Sequence, residues 1–414
     1  MGMVLLLLLL TGEGPTLQDQ RFQLHALSVD SAFDFVTWEL DALARKVGYG
    51  LLAPQRFMDD EARADFVLDY LEAVDAARRL DREITRAYVD PTVGDPDQAT
   101  ADAQAELARY RAYIEAHAPV AEAILGEQIS QVLDGGGFGL LEQILPPVSG
   151  TTTPLPYLLI VSPRDHIETY YQKELVAGLT VQQRQALERD IEAAFPGFSA
   201  YVTAIGGLSA YPSMLLESAS IDWLAEVMSH EWTHHYLTPA PLGWHYFSSA
   251  ETRTINETTA NLMGEWAGQE VVRRFYLDAL EREKPLPDPR THDAAGEEAA
   301  EETFDFYAEM RRTRLVVDRL LAVGKVKKAE WYMEMKRRDF VLHGYRLRIL
   351  NQAYFAFHGA YASRPGAAGA DPVGPTVRRL WALSETPRDF VHQISRATTL
   401  EDAERLIVAA AESP

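Results

Sequence analysis

Two histidines four residues apart, with a glutamate directly after the first, constrain this chain more than any other feature. The segment Ser229-His230-Glu231-Trp232-Thr233-His234-His235 follows the mostly apolar run Ile221 to Met228, and the whole stretch reads as one helix. Residues four apart lie one turn above each other on a helix. His230 and His234 therefore present two imidazoles to one point in space. Zinc takes such nitrogens at about 2.0–2.1 Å in a tetrahedral shell. Glu231 flanks that point and can take a proton from a water held there, because zinc lowers the pKa of such a water towards 7. His235 points about 100° away around the helix and reads as packing, or as a residue that supports the ligands from behind. A surface helix with solvated His and Glu would show the same five residues, so a third ligand decides the weight of the motif.

A catalytic zinc takes three protein ligands and keeps one position for water. The residue six positions after His234 is Ala240, so the extended three-histidine form is absent. Two candidates stand in the sequence. His245 lies in Trp244-His245-Tyr246, in a loop. Glu257 lies in Asn256-Glu257-Thr258-Thr259-Ala260-Asn261, where a second helix begins and runs to about Arg274.

HExxH on one helix and Asn-Glu on the next resembles the gluzincin peptidases, the group of thermolysin and the zinc aminopeptidases. The likeness covers roughly Pro156 to Arg274. It implies a zincin-like catalytic core with one Zn2+ per chain, held by His230, His234 and Glu257, with Glu231 as base and a peptide or protein as substrate. In the thermolysin form an acidic residue four positions after the ligand Glu orients a ligand histidine. Asn261 stands at that position here; its amide accepts an imidazole N–H without adding negative charge. The resemblance also implies an edge strand before the motif helix that holds the substrate backbone. Gly206 to Met214 occupies that place, with Gly207 and Tyr211 as substrate contacts, and strand addition suits sequence-tolerant binding. An ordinary buried strand fits the same residues. The Gly-x-Met-Glu-Asn element of the aminopeptidases is absent.

Such enzymes also carry a Tyr or His that donates to the oxyanion formed on the scissile carbonyl. Tyr354, His358 and Tyr361 are spaced by four and three, so they share one helix face. Tyr354 is the first candidate and His358 the second; aromatic packing with hydrogen-bonded tips accounts for the same residues. The motif is also compatible with a zinc hydrolase of a non-peptide amide or ester, or with a catalytically silent zinc-binding scaffold. The intact Glu231 argues against the scaffold.

The rest of the chain supplies bounds. It has 414 residues, a formal net charge of -22 and no cysteine. The charge excludes nucleic acid as a partner, since phosphate contacts need clustered Lys and Arg. The missing cysteines exclude thiol catalysis, Cys-ligated zinc and disulfides. The expected fold is α+β and mostly α-helical, with one small β-sheet in the catalytic core. Residues 1–20 form a leader whose run Val4 to Leu10 is too short to span a bilayer, which takes about 20 residues. The run is either the trimmed end of a membrane anchor, placing the chain outside the cytoplasm, or an ordinary buried element, compatible with the cytoplasm. Residues 21–150 read as an N-terminal helical region, 151–275 as the catalytic core, 276–302 as an acidic linker and 303–414 as a C-terminal helical region. Within the core, Leu155 to Val161 and Phe198 to Ile205 read as strands and Leu208 to Leu216 as a third extended segment. Val181 to Ala194 reads as a helix capped by Thr180. Lys325 to Lys328 is a short basic cluster that reads as a solvated turn. The sequence sets no oligomeric state.

Overall fold

The apolar runs bounded by Pro and Gly form strands, and the Ala/Glu/Arg-rich stretches form long helices. The computed structural model describes residues 20–89, 94–140, 143–283, 304–345, 347–362 and 366–412. The run Val4 to Leu10 and the acidic stretch 284–302 lie outside them. The strands are β1 (Gly150–Thr152), β2 (Tyr157–Pro163), β3 (Tyr171–Leu175), β4 (Phe198–Ala204), β5 (Gly207–Leu208) and β6 (Ser213–Leu215). The helices of more than one turn are α1 (Gln20–Ser28), α2 (Phe35–Leu52), α3 (Asp60–Val89), α4 (Ala101–Gly135), α5 (Val181–Ala194), α6 (Ile221–Leu237), α7 (Ala250–Val271), α8 (Leu277–Glu283), α9 (Phe306–Ala322), α10 (Val326–Leu342), α11 (Gln352–His358), α12 (Val373–Leu383), α13 (Pro387–Ile394) and α14 (Leu400–Glu412). The fold is thus α+β and mostly helical. No helix among the described residues is long and apolar enough to cross a membrane.

The strands form two sheets where the sequence suggested one, with orders β3-β2-β4 and β1-β6-β5. The segment Leu208 to Leu216, expected to be continuous, is two short strands folded back on each other: β5 pairs antiparallel with β6. Pro212 lies between them, and a proline cannot donate to a ladder. β6 then pairs in parallel with β1. Contacts group the chain into two units, each drawn from three separated segments. The first takes Met1–Asp34, Pro156–Ile205 and Ala308–Gly359; the second takes Phe35–Leu155, Gly206–Tyr307 and Ala360–Pro414. This interleaved grouping does not follow the consecutive regions read from the sequence.

In the first unit β2 is the central strand, antiparallel to both neighbours, with Leu159 facing Lys173 on one side and Val202 on the other. Leu158 to Val161 are buried on both faces. Leu159, Val161, Leu175 and Val202 pack with Leu24 of α1 and Ile191 of α5. The start of α5 is a capping box: Gln183 N–H donates to Thr180 Oγ1 at 3.2 Å, and Thr180 N–H donates to Gln183 Oε1 at 2.8 Å. Each bond satisfies an otherwise orphaned backbone donor. On the same helix the buried Glu188 accepts the Val202 N–H at 2.7 Å and both arms of the Arg348 guanidinium at 2.6 Å.

The second unit is organised around α6 and α7. The two helices meet closely because glycines line the contact. A Cβ on Gly264 would lie 2.7 Å from the Glu226 carbonyl oxygen, and one on Gly268 would lie 3.0 Å from the Glu226 nitrogen. Trp232 fills the core beside them, with its indole N–H donating to the Pro146 carbonyl at 2.8 Å. On α4, Glu122 accepts both the backbone N–H and the hydroxyl of Thr152, at 2.7 and 2.8 Å, which fixes β1.

Replacing Arg348 by Ala leaves the Glu188 carboxylate buried without its bidentate partner. Breaking a buried pair costs about 3–5 kcal/mol. Arg348 is 20% exposed, so we expect a loss near the lower figure, measured as a reduced urea midpoint with an unchanged slope.

Candidate metal centre

Helix α6 begins at Ser220, whose hydroxyl accepts the Trp223 N–H at 3.2 Å, and α7 begins at Ser249, whose hydroxyl accepts the Thr252 N–H at 3.0 Å. These caps fix where each helix starts and so which residues face the contact. His230 and His234, one turn apart on α6, bring their Nε2 atoms to 3.1 Å. Glu257, in the second turn of α7, places Oε2 3.5 Å from His230 Nε2 and 3.7 Å from His234 Nε2. A tetrahedral metal with bonds of about 2.0–2.1 Å separates its ligand atoms by roughly 3.3 Å. The three atoms also pass a chemical test of fit. Glu257 is 3% exposed, and its Oε2 has no hydrogen-bond partner. A buried carboxylate oxygen left without a donor is costly, and a cation at this point removes the cost. His230, His234 and Glu257 could thus hold a metal ion.

The surrounding residues orient the three side chains. Asn256 donates from Nδ2 to the Leu242 carbonyl at 3.2 Å, so its Oδ1 faces His234 and accepts the Nδ1 proton at 2.7 Å. With an ion held there, that bond would set the tautomer and leave the Nε2 lone pair for the ion. The Tyr246 hydroxyl donates to Glu257 Oε1, which leaves Oε2 as the free ligand atom. Burial and the Glu257 charge push the Tyr246 hydroxyl far up, so it remains a donor. Burial opposes ionisation of Glu257, but the charge of His234 and its contact with His230 outweigh it and hold the carboxyl well below the usual range. Arg253, one turn before Glu257, is buried with its guanidinium 5.9 Å from the centre of the Tyr246 ring. The Tyr361 ring lies nearly parallel to His230, with centroids 6.5 Å apart. Burial, then Glu257 and Tyr246, raise its hydroxyl well above the ordinary tyrosine value.

Glu231 is buried beside the ligand pair, and burial pushes its carboxyl up against the opposing effect of His230 and His234. Gly207 of β5 lies directly against it. A Cβ at that position would overlap the Glu231 carboxylate and meet Val227 at 2.8 Å. Only glycine lets the edge strand come so close. Tyr211 packs edge-on against His235 with ring centres 5.6 Å apart, and its hydroxyl donates to the Pro147 carbonyl at 3.3 Å. His235 itself turns away from the ligands, with Nε2 3.2 Å from Ser213 Oγ.

The remaining sequence candidates divide. His245 is not among the clustered ligands; its ring faces the Ser248 hydroxyl at 3.2 Å. Asn261 lies one turn beyond Glu257 on α7 and is half-buried, while the amide that fixes His234 is Asn256. Tyr354 and His358 belong to α11 in the first unit, where both rings pack on Tyr201, at 5.4 and 6.1 Å between centres. Burial pushes the His358 imidazole down to about 4. Sequence reasoning missed Asn256, Tyr246 and Arg253 as parts of the site. Asn256 adjoins the ligand Glu, and Tyr246 and Arg253 lie within eleven residues before it, so proximity to Glu257 was the available signal. Comparison of the chain with protein-family models, with curated proteins and with solved structures finds no match.

Equilibrium dialysis followed by elemental analysis checks the centre. We expect roughly one divalent metal per chain, lost in Glu257→Ala and kept in His245→Ala. Asn256→Ala frees the His234 tautomer and should weaken affinity about 10–100-fold.

Proposed function

We propose that this chain is a zinc-dependent peptidase of the gluzincin type, with a zincin-like core in which His230, His234 and Glu257 hold the metal and Glu231 is the general base. The observation that carries the reading is the placement of Glu231: a buried carboxylate with the ligand pair on one side and Gly207 of β5 on the other. A purely structural metal site has no use for such a base.

Bound at these ligands, zinc supplies Lewis acidity that brings the pKa of a water towards 7 and polarises a carbonyl oxygen. Glu231 accepts a proton from the attacking water as the new C–O bond forms. It returns that proton to the nitrogen as the C–N bond breaks, so the amine leaves neutral. The upward push on its carboxyl favours this double role, since a general acid–base works best with a pKa near the working pH. Among the described residues β5 pairs with β6 alone, and its other edge offers backbone groups to an extended peptide. Strand addition there would bring the substrate carbonyl beside Glu231. Tyr361, protonated and stacked near His230, is the donor we assign to the oxyanion. It lies in the same aromatic stretch as Tyr354 and His358, in the unit that holds the ligands.

Metal-loaded wild type is expected to cleave members of an unstructured peptide mixture. Glu231→Gln should retain the metal and lose about 10²–10⁴-fold in rate. Gly207→Ala should also retain the metal and lose on the order of 10²-fold, because a misplacement of about 1 Å has that effect. An intact peptide mixture after incubation with loaded wild type, or unchanged cleavage by Glu231→Gln, would overturn the reading.

A further inference from the structure

Helix α10 carries two faces, and only one of them is explained by the core. Ala329, Met333 and Phe340 are buried and mark its inner side. Trp331, Met335 and Leu342 are 62%, 48% and 84% exposed. At 3.6 residues per turn these three centre about 180° from the buried set. Single exposed apolar residues are ordinary, but an apolar stripe opposite the core face is not accounted for by folding.

The charges of this region are as distinctive as its apolar residues. The segment Phe306–Leu342 holds ten Lys and Arg against five Asp and Glu, a net charge of +5 in a chain of -22. The acids of α10 are paired. Glu330 binds Arg164, Glu334 binds Arg337 and Arg338, and Asp339 binds Lys336. Lys325, Lys327 and Lys328 form no ion pair with any described residue and are exposed. They sit at the turn between α9 and α10, where Gly324 takes φ of +69° and the Gly324 and Lys325 N–H groups close the end of α9 on Leu321 and Leu320.

We propose that this face of α10 docks on an anionic lipid bilayer. Trp331, Met335 and Leu342 enter the interfacial layer, and Lys325, Lys327 and Lys328 meet the headgroup phosphates. Aromatic and aliphatic residues on one helix face with lysines beside them are the pattern of interfacial helices. Complementary charge selects the occupant. At physiological ionic strength fields decay over about 8 Å, so at contact the local cations act and the distant acidic surface does not. Each basic residue at an anionic surface strengthens binding roughly fivefold.

Sedimentation with vesicles of phosphatidylcholine and phosphatidylserine, and of phosphatidylcholine alone, tests this on the full chain. Wild type is expected to pellet with the mixed vesicles, to be released by high salt, and to pellet far less with phosphatidylcholine alone. Changing Lys325, Lys327 and Lys328 together to Gln should weaken binding about a hundredfold. A Trp331→Ser, Met335→Ser pair should weaken it at least tenfold with an unchanged melting temperature. No binding to mixed vesicles overturns the proposal, as does binding that both variants leave unchanged. Light scattering that shows a dimer of the wild type, dissociated by the Ser pair, overturns it in favour of a second copy of this chain on the same face.

Discussion

The distance between α6 and α7 is the constraint from which the His230, His234 and Glu257 cluster follows. Helices in proteins usually pack with axes 8–10 Å apart, a spacing set by the side chains between them. Here Gly264 and Gly268 remove those side chains at the contact, and the backbone of α6 at Glu226 fills the space. Glu257 stands on the same helix as the two glycines. Its carboxylate comes within 3.5 Å of the His230 Nε2 and 3.7 Å of the His234 Nε2. A larger residue at Gly264 would press on the Glu226 carbonyl and on the His230 Cβ together.

The same packing gives two neighbouring carboxylates different characters. Glu257 receives the Tyr246 hydroxyl and faces two imidazoles, so it stays ionised. Glu231 is equally buried, and burial raises its carboxyl. Pairs of acids whose surroundings drive them apart are how one site can hold both a permanent anion and a group that exchanges protons. Arg253, buried beside Tyr246, adds a fixed positive charge near Glu257. The arrangement is built almost wholly from residues 230–257 with Tyr361 added.

What the sequence disclosed was what local chemistry decides. The spacing of His230 and His234, the cap at Thr180 and the strand at Leu155 to Val161 all depend on neighbours within a few residues. Glu257 was one of two open choices by residue type, and the geometry favours it over His245 because a helix carries it back to the first two ligands. Where the reading fell short, distant partners decide. Leu208 to Leu216 folds back because Ser213 to Leu215 finds β1, some sixty residues earlier. Asn256 supports His234 because the Leu242 carbonyl turns its amide, a contact no spacing rule reveals. Tyr354 and Tyr361 look equivalent on a helical wheel, yet α11 ends at His358 and Tyr361 falls in the other unit.

The threading of the two units has a consequence for how the chain is made. Domains of many proteins fold in turn as they leave the ribosome. Here neither unit is a continuous stretch, and each waits for its third segment. Helix α7, which carries Glu257, packs against α12 of the last segment. While residues 360–414 are still inside the ribosome, that side of α7 lacks its cover. The candidate ligands are therefore all synthesised well before the scaffold that steadies them, and their surroundings are complete only once residues 360–414 have followed.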